Sequence, residues 1–167
     1  ASLALACAAA TAAFSGCGSK NYAENNTAFF IGASGPLTGS AASYGIAVQR
    51  GAELAVEEIN AKNEDGMRFT FEIKDDKASA ADVPTNFAAL YEKGMQLSLG
   101  AVTSGACLSF KGLAAEKNLF TLCPSATADD VTKDADTVFQ MCFSDSNQGT
   151  VAAQQYFNTD AVPAGTK

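Results

Sequence analysis

The sequence predicts an α/β fold built around a parallel β-sheet. Short apolar runs alternate along the chain with longer stretches in which apolar residues recur at helical spacing. Each apolar run is followed by residues that favour turns and loops, chiefly Gly, Pro, Ser and Asp. Strands that alternate with helices need crossover connections, so we expect parallel strands, right-handed crossovers and helices on both faces. The 167 residues, 47% of them apolar, suffice for one domain with a substantial core.

Each predicted strand is a short apolar or alternating run with a clear stop. The first run ends at Ser34-Gly35-Pro36, the second alternates before Asp75-Asp76, and the fourth stops at Pro124. The five strands are predicted at 29–33, 69–73, 97–102, 119–123 and 138–143.

Each predicted helix follows one of these strands, and the first two carry apolar stripes that can face the sheet. The stripe of the first helix comprises Ile46, Val48, Ala52, Leu54, Ala55, Val56 and Ile59. The stripe of the second helix comprises Val83, Phe87, Leu90 and Tyr91. Pro84 falls near the first turn of that helix, where a missing N–H costs little. The helices are predicted at 45–62, 80–94, 106–117 and 148–158.

The N-terminal segment 1–16 predicts a signal for export. It is uncharged, consists mostly of small apolar residues, and is too short to span a bilayer as a helix. The string Phe14-Ser15-Gly16-Cys17 resembles a bacterial lipobox, in which the Cys becomes the acylated first residue of a mature lipoprotein. Cys17 is therefore the predicted lipidation site, and the polar stretch through residue 28 is a predicted flexible tether. The alternative is that Cys17 is an ordinary thiol in a core helix.

Composition argues against several classes of function. The net charge is −7 and the eleven basic residues are scattered, which disfavours binding to nucleic acid. The sequence has no His, so Ser-His-Asp and Cys-His pairs and His-based metal sites cannot be built from it. None of the glycine-rich phosphate-binding motifs occurs, and no nucleophile elbow occurs. We therefore expect neither an enzyme nor a bound cofactor or metal.

Three loops that follow predicted strands are rich in Ser, Thr and Gly. They contain Ser34-Gly35-Pro36, Thr103-Ser104-Gly105 and Pro124-Ser125-Ala126-Thr127. In an open parallel sheet, ligands bind beyond the carboxyl ends of the strands. Two of these loops lead into helix N-termini, whose free N–H groups favour a carboxylate or a phosphate. The alternative is that the hydroxyl residues serve only as helix caps.

An ordered set of motifs adds a family resemblance to this interpretation. The motifs are IGASGPLTG (31–39), Tyr44-Gly45, RGAELA (50–55), EINA (58–61), Asp75-Asp76, GAVTSG (100–105), CPSAT (123–127) and FSDSNQG (143–149). Together they resemble the branched-chain amino-acid-binding (Leu/Ile/Val-binding) family of type I periplasmic-binding proteins over about residues 29–158. The resemblance implies a Rossmann-like lobe with a parallel sheet at 29–144. It also implies that 145–167 form the crossover and first helix of a second lobe that is only begun.

The same resemblance implies how a ligand would be held. Members of the family clamp an amino acid between two lobes. By the resemblance, Ser104 and Thr127 hold the α-carboxylate through hydroxyl and backbone N–H groups. The Ser125 carbonyl and the Thr127 hydroxyl accept from the α-ammonium, and Tyr44 lies over the ligand side chain. The predicted ligand-binding residues are Tyr44, Ser104, Gly105, Ser125, Ala126 and Thr127. With one wall of the cleft present, we expect the segment alone to bind weakly or not at all.

The cysteines depart from the family pattern. The positions of the family's disulfide are occupied by Ala78 and Thr103, so that bridge is absent. Cys107, Cys123 and Cys142 appear instead. A bridge between Cys107 and Cys123 is geometrically possible, because one begins a predicted helix and the other ends the neighbouring strand. We expect buried thiols at these positions rather than a disulfide.

The function that the resemblance implies is substrate binding for an ABC importer. The expected protein is an extracytoplasmic, lipid-anchored monomer that presents an amino acid to the permease subunits, at a cell surface or in a periplasm. The identity of the amino acid stays open. The alternatives are the ligand-binding sensor domain of a membrane receptor and a binding protein for amides or urea.

Overall fold

The computed structural model describes residues 28–62 and 66–157. The predicted signal at 1–16, Cys17 and the tether up to residue 27 lie outside the described residues, as does 158–167. The strands are β1 (Ala28–Gly35), β2 (Arg68–Asp75), β3 (Leu97–Ala101), β4 (Thr121–Cys123) and β5 (Val138–Gln140). The helices are α1 (Ala42–Lys62), α2 (Val83–Glu92), α3 (Ser104–Glu116) and α4 (Asp145–Phe157), with a short 3₁₀ turn at Asp129–Val131.

The five strands form one sheet in the order β2-β1-β3-β4-β5, and every neighbouring pair is parallel. The predicted α/β fold with a parallel sheet is therefore confirmed. β1 pairs with β2 on one side and with β3 on the other, so the winding direction reverses at β1. This reversal creates a crevice at the carboxyl ends of β1 and β3, where open sheets of this kind bind ligands. The division of the chain into two lobes at residue 145 stays a prediction.

The core lies where α2 and α3 pack on each other and on β1 and β3. Val83, Phe87 and Leu90 of α2 are buried, as their spacing predicted. The ring of Phe87 meets the ring of Phe110 of α3 edge to face, with centroids 5.0 Å apart. Such a pair adds about 0.5–1.5 kcal/mol beyond the area that it buries. Tyr91, predicted on the same inner face, is 41% exposed and stacks on Phe87 from the rim of the core.

The first helix is less buried than its sequence predicts. Gly45 is its one buried residue, whereas Leu54 and Ile59 of the predicted inner stripe are 56% and 49% exposed. Within the described part of the chain, α1 packs chiefly on β2. Asn60 anchors this contact, because its side-chain amide exchanges two hydrogen bonds of 2.8 Å with the backbone of Phe69. Ile46, Val48, Ala52 and Val56 of the predicted stripe are half-buried, whereas the prediction was wrong for Leu54, Ala55 and Ile59, which are exposed.

The structure contradicts the expectation of free thiols at two of the three cysteines in the fold. Cys107 and Cys123 are joined as a disulfide with Cα atoms 7.3 Å apart, and both are fully buried. Cys107 lies in the first turns of α3, which overlie the end of β4 where Cys123 lies. Cys142 is a half-buried free thiol. None of the helices in the described residues is long and apolar enough to cross a bilayer.

Gly45 supplies a test of how α1 joins the sheet. A Cβ at Gly45 would overlap the carbonyl oxygen of Pro36, while a Cβ at Gly51 on the same helix would meet nothing within 4 Å. Gly45→Ala should destabilise the fold by about 1–3 kcal/mol, because the clash is with backbone. Gly51→Ala should stabilise it by about 0.5–1 kcal/mol, because Ala is the better helix former. Urea unfolding measures both, and equal stabilisation by both substitutions would contradict the close contact.

Candidate functional site

The candidate site is the edge of the sheet at which the strands end. The loops that leave β1, β3, β4 and β5 all lie along this edge because the strands are parallel. α1, α3 and α4 begin there, so their free N–H groups lie along the same edge. The segments that form it are 36–41, 102–103, 124–128 and 141–144.

The loop after β1 is held by Asp75, at the end of the neighbouring strand. One carboxylate oxygen accepts hydrogen bonds from the N–H of Leu37 (2.9 Å), Thr38 (3.4 Å) and Lys77 (2.9 Å). The other accepts from the Thr38 hydroxyl at 2.6 Å. Partial burial opposes ionisation, but these donors outweigh it and lower the pKa of Asp75 to about 2. Asp75 is therefore a fixed anion that shapes the β1 loop.

Asp76 points inward and fixes Ser34. The Ser34 hydroxyl donates to the Asp76 carboxylate at 2.9 Å and accepts from the Asn86 side-chain amide at 3.2 Å. The N–H of Ala78 donates to the other carboxylate oxygen at 2.9 Å. Asp76 and Ser34 are both fully buried, and burial raises the pKa of Asp76 above its ordinary value. The Ser34 hydroxyl lies in one of the three loops predicted to face a ligand, but it bonds to groups in the interior of the fold instead.

Ser104 and Thr127, which the family resemblance assigned to the same ligand group, are joined by a hydrogen bond. The Ser104 hydroxyl oxygen accepts hydrogen bonds from the N–H of Thr127 at 3.2 Å and the N–H of Ala128 at 3.3 Å. A hydroxyl has two acceptor positions and one proton to donate. Both acceptor positions of Ser104 are engaged, so its proton is left for an outside acceptor. The half-buried Thr127 hydroxyl makes no hydrogen bond to any other described residue.

The first turn of α3 exposes backbone N–H groups rather than large side chains. Cys107 is the first residue of the helix whose N–H bonds back along the chain, to the Thr103 carbonyl at 2.8 Å. The preceding N–H groups of Ser104 and Gly105 have no helical partner. Gly105 is exposed, and a Cβ built on it meets nothing within 4 Å. The site therefore offers open space in front of two free donors and the positive end of a helix, a combination that suits an anion.

Ser125 and Ala126 join the loop after β4 to its surroundings. The Ser125 hydroxyl donates to the Val102 carbonyl at 2.7 Å, which ties the β4 loop to the end of β3. The Ala126 side chain is 1% exposed and belongs to the core, so only the backbone of Ala126 can serve a ligand. Its carbonyl already accepts from Gln140 at 2.7 Å and from the Cys142 thiol at 3.1 Å.

The helix-cap alternative fails at α3, whereas α4 is capped by a serine outside the three predicted loops. Thr103 is the N-cap residue of α3, yet its side chain makes no capping bond and its hydroxyl is buried without a partner. Ser104 reaches across to another loop instead of capping its own helix. At α4, the Ser144 hydroxyl accepts from the N–H of Asn147 at 3.3 Å, as a cap does.

Tyr44 is not joined to the other predicted residues by any hydrogen bond in the described structure. It lies in the first turn of α1, its side chain is 65% exposed, and its N–H donates to the Ala41 carbonyl at 3.1 Å. An exposed Tyr at the sheet edge is available to a ligand, but this wall of the site does not orient it.

Sequence reasoning missed Gln140 and Asp145, which hold the loop on either side of Thr127. Gln140 at the end of β5 donates to two carbonyls of the loop, and the N–H of Asp145 donates to the Thr127 carbonyl at 2.8 Å. A Gln at the end of an edge strand carries no signal of such a role. Asp145 lies in the motif at 143–149, which indicated the segment but not the contact.

Comparison with known proteins identifies a family and several sequence relatives. The profile of the family described as periplasmic binding protein matches residues 28–162. Leu/Ile/Val-binding protein BraC3 of Rhizobium johnstonii is 36% identical over 126 residues, which cover 74% of this chain and 34% of that protein. Leu/Ile/Val-binding protein homolog 1 of Brucella abortus is 32% identical over 133 residues, covering 77% and 35%. The chain thus spans about a third of the length of these relatives.

Solved structures agree with the sequence relatives. The branched-chain amino acid transporter substrate-binding protein LivJ of Streptococcus pneumoniae, in complex with isoleucine, superposes with a TM-score of 0.67 at 36% identity. The match covers 71% of this chain and 35% of that protein. The leucine-binding protein LivK of Thermotoga maritima superposes with a TM-score of 0.70 over 78% of this chain and 37% of its own. At 24% identity, this second match supports the fold alone.

Asp75 gives the site a defined response to acid. Since its pKa is lowered, it stabilises the fold above the ordinary Asp value near 3.8, and this contribution is lost as the pH falls towards 2. Asp76 acts in the opposite sense, because a raised pKa favours the folded state on protonation. Between about pH 4 and pH 2, the free energy of unfolding should therefore fall less steeply in Asp75→Asn than in the wild type.

Urea unfolding at a series of pH values measures the effect of Asp75→Asn. Glu92→Gln, which neutralises an exposed carboxylate on α2, is the control and should retain the wild-type slope. An unchanged acid slope in Asp75→Asn would show that Asp75 is not the ionised anchor of the β1 loop.

Proposed function

The chain belongs to the periplasmic binding protein family, and we propose that it forms part of the substrate-binding component of an ABC importer for branched-chain amino acids. In this proposal the chain binds its ligand outside the cytoplasm and presents it to the permease. Its role is binding rather than catalysis.

The observation that carries the proposal is the pairing of Ser104 with the loop at Thr127 in front of the α3 N-terminus. The free proton of the Ser104 hydroxyl and the open N–H groups of Ser104 and Gly105 form a set of donors that fits a carboxylate. No side-chain charge is needed there, because the helix end supplies partial positive charge. Hydrogen bonds from such donors to a carboxylate are charge-assisted and short.

The remaining predicted residues complete the recognition of an amino acid. We assign the Thr127 hydroxyl and the Ser125 carbonyl to the α-ammonium, which donates three hydrogen bonds. Since the N–H of Thr127 is engaged by Ser104, we assign the carboxylate to the Ser104 hydroxyl rather than to the Thr127 backbone. Tyr44 closes over the ligand side chain once a facing wall orients it.

The choice of a branched-chain ligand rests on the relatives. The Rhizobium and Brucella proteins are named for Leu, Ile and Val, and the Streptococcus protein contains isoleucine. The site itself lies on an open edge of the sheet.

The described structure has two other depressions, of about 440 and 280 Å³. The first is lined by residues of α3 and of the segment 130–134, and the second by residues of α4 and by Phe143. Neither is lined by Ser104 or Thr127.

Location and attachment complete the proposal. Binding proteins of this family work outside the cytoplasm, and acylation at Cys17 would anchor the chain to the membrane. One acyl chain gives only marginal membrane binding, so a stable anchor needs more than one.

Mass spectrometry of the membrane-bound form is expected to find lipid on Cys17, and Cys17→Ala should release the protein from the membrane.

The experiment that tests the proposal is titration calorimetry on a protein that carries residues 28–157 within a chain of the relatives' length. The panel contains leucine, isoleucine, valine, phenylalanine, glutamine, lysine and urea. Tight binding of the first three supports the proposal. Absence of heat with every amino acid would contradict it, and selective binding of glutamine or urea would reassign the ligand to the amides.

Ser104→Ala tests the carboxylate contact within this proposal. The substitution removes one charge-assisted donor, which should weaken isoleucine binding by about 10- to 100-fold, or about 1.5–3 kcal/mol. Ser109→Ala on the same helix α3 is the matched control and should bind as the wild type does. Equal affinities of Ser104→Ala and wild type would remove Ser104 from the site.

A further inference from the structure

We propose that Gln140 is a positioning residue that sets the orientation of the Ser104–Thr127 unit and thereby the affinity for the ligand carboxylate. The inference rests on the proposed function, since it names a residue that acts on the same site. Gln140 is the last residue of β5 and pairs in register with Cys123 of β4. It is half-buried and lies directly beside the loop that follows β4.

The side-chain amide of Gln140 bridges two carbonyls of that loop. Its nitrogen donates to the Ala126 carbonyl at 2.7 Å and to the Ala128 carbonyl at 3.0 Å. An amide nitrogen has two protons, and both are used. Since both partners are carbonyls, the nitrogen and not the oxygen of the side chain must face the loop. Gln140 therefore clamps the backbone on either side of Thr127.

This clamp determines where the neighbouring N–H groups point. Among the described residues there is no cis peptide bond, and a trans peptide directs its C=O and N–H to opposite sides. With the Ala126 carbonyl held by Gln140, the N–H of Thr127 is turned towards Ser104, which accepts it at 3.2 Å. In the next peptide, Asp145 holds the Thr127 carbonyl at 2.8 Å, and the N–H of Ala128 meets Ser104 at 3.3 Å.

The orientation of these N–H groups decides what the Ser104 hydroxyl can do. When both donate to the Ser104 oxygen, the hydroxyl proton is left for the ligand carboxylate. If the loop turned away, the Ser104 proton would be free to bond with a backbone carbonyl of the loop instead. Gln140 thus acts on the ligand through Ser104 without contacting it.

Other groups also donate hydrogen bonds to the Ala126 and Ala128 carbonyls, and the choice of variants takes these donors into account. The Cys142 thiol also donates to the Ala126 carbonyl at 3.1 Å, and the N–H of Val131 donates to the Ala128 carbonyl at 3.1 Å. A thiol is a weak donor, so Cys142→Ala should have a small effect. Gln140→Met removes both amide donors at nearly constant size, Gln140→Glu replaces them with acceptors, and Gln140→Lys restores donors. Gln154→Met on exposed α4 is the matched control.

The test combines calorimetry with hydrogen exchange on the protein of the relatives' length. We expect Gln140→Met to weaken isoleucine binding by at least tenfold, Gln140→Glu to weaken it further, and Gln140→Lys to recover part of the loss. Gln154→Met should bind as the wild type does. In the free protein, exchange at the N–H of Thr127 and Ala128 should become faster in Gln140→Met. Exchange at the N–H of Thr121, which bonds to Thr137 within the sheet, should stay unchanged.

The outcomes separate this inference from the proposed function. If the wild type binds isoleucine and Gln140→Met and Gln140→Glu bind it within twofold of wild type, the inference is overturned and the function stands. If exchange rises equally at Thr121 and Thr127, Gln140 stabilises the sheet as a whole and the positioning role is overturned. If the wild type binds no amino acid, the proposed function fails. Unchanged exchange at Thr127 in Gln140→Met would then overturn the inference as well.

Discussion

The parallel direction of all five strands is the constraint on which the rest of the structure depends. It brings every strand's carboxyl end to one edge of the sheet, so loops far apart in sequence become neighbours. Ser104 and Thr127 are 23 residues apart, yet a hydrogen bond joins them because β3 and β4 end side by side. The helix that follows β3 then begins at the centre of this edge, with its free N–H groups next to the β4 loop.

Two sets of polar contacts fix the loops along that edge and so form the candidate site. Asp75 fixes the β1 loop as an anion, while Gln140, Asp145 and Ser104 fix the backbone around Thr127. The carbonyls of Ala126, Thr127 and Ala128 each accept a hydrogen bond, as buried backbone groups generally do. The Ser104 proton, the Thr127 hydroxyl and the first N–H groups of α3 have no partner among the described residues, and we assign the ligand to these groups together with the Ser125 carbonyl.

The sequence predicted the strands and the helices, because alternation and helical spacing are local signals. The assignment of Ser104 and Thr127 to one ligand group came from the family resemblance instead. The sequence did not predict features that depend on which other residues a helix or strand contacts in the folded protein. The apolar stripe of α1 gave no information about how much of it is covered, and the position of Tyr91 at the rim follows from packing. The Cys107–Cys123 disulfide depends on where a helix start overlies a strand end. Gln140 could not be found, because its role requires knowing which carbonyls face the end of β5.

A crystal structure of the protein with isoleucine bound tests the central claim most directly. The account predicts one carboxylate oxygen of the ligand within about 2.5–3.0 Å of the Ser104 hydroxyl. It also predicts that this oxygen faces the N–H groups of the first turn of α3, with the ammonium turned towards Thr127 and Ser125. A ligand bound with its ammonium at the α3 N-terminus, or away from Ser104 altogether, would contradict the account.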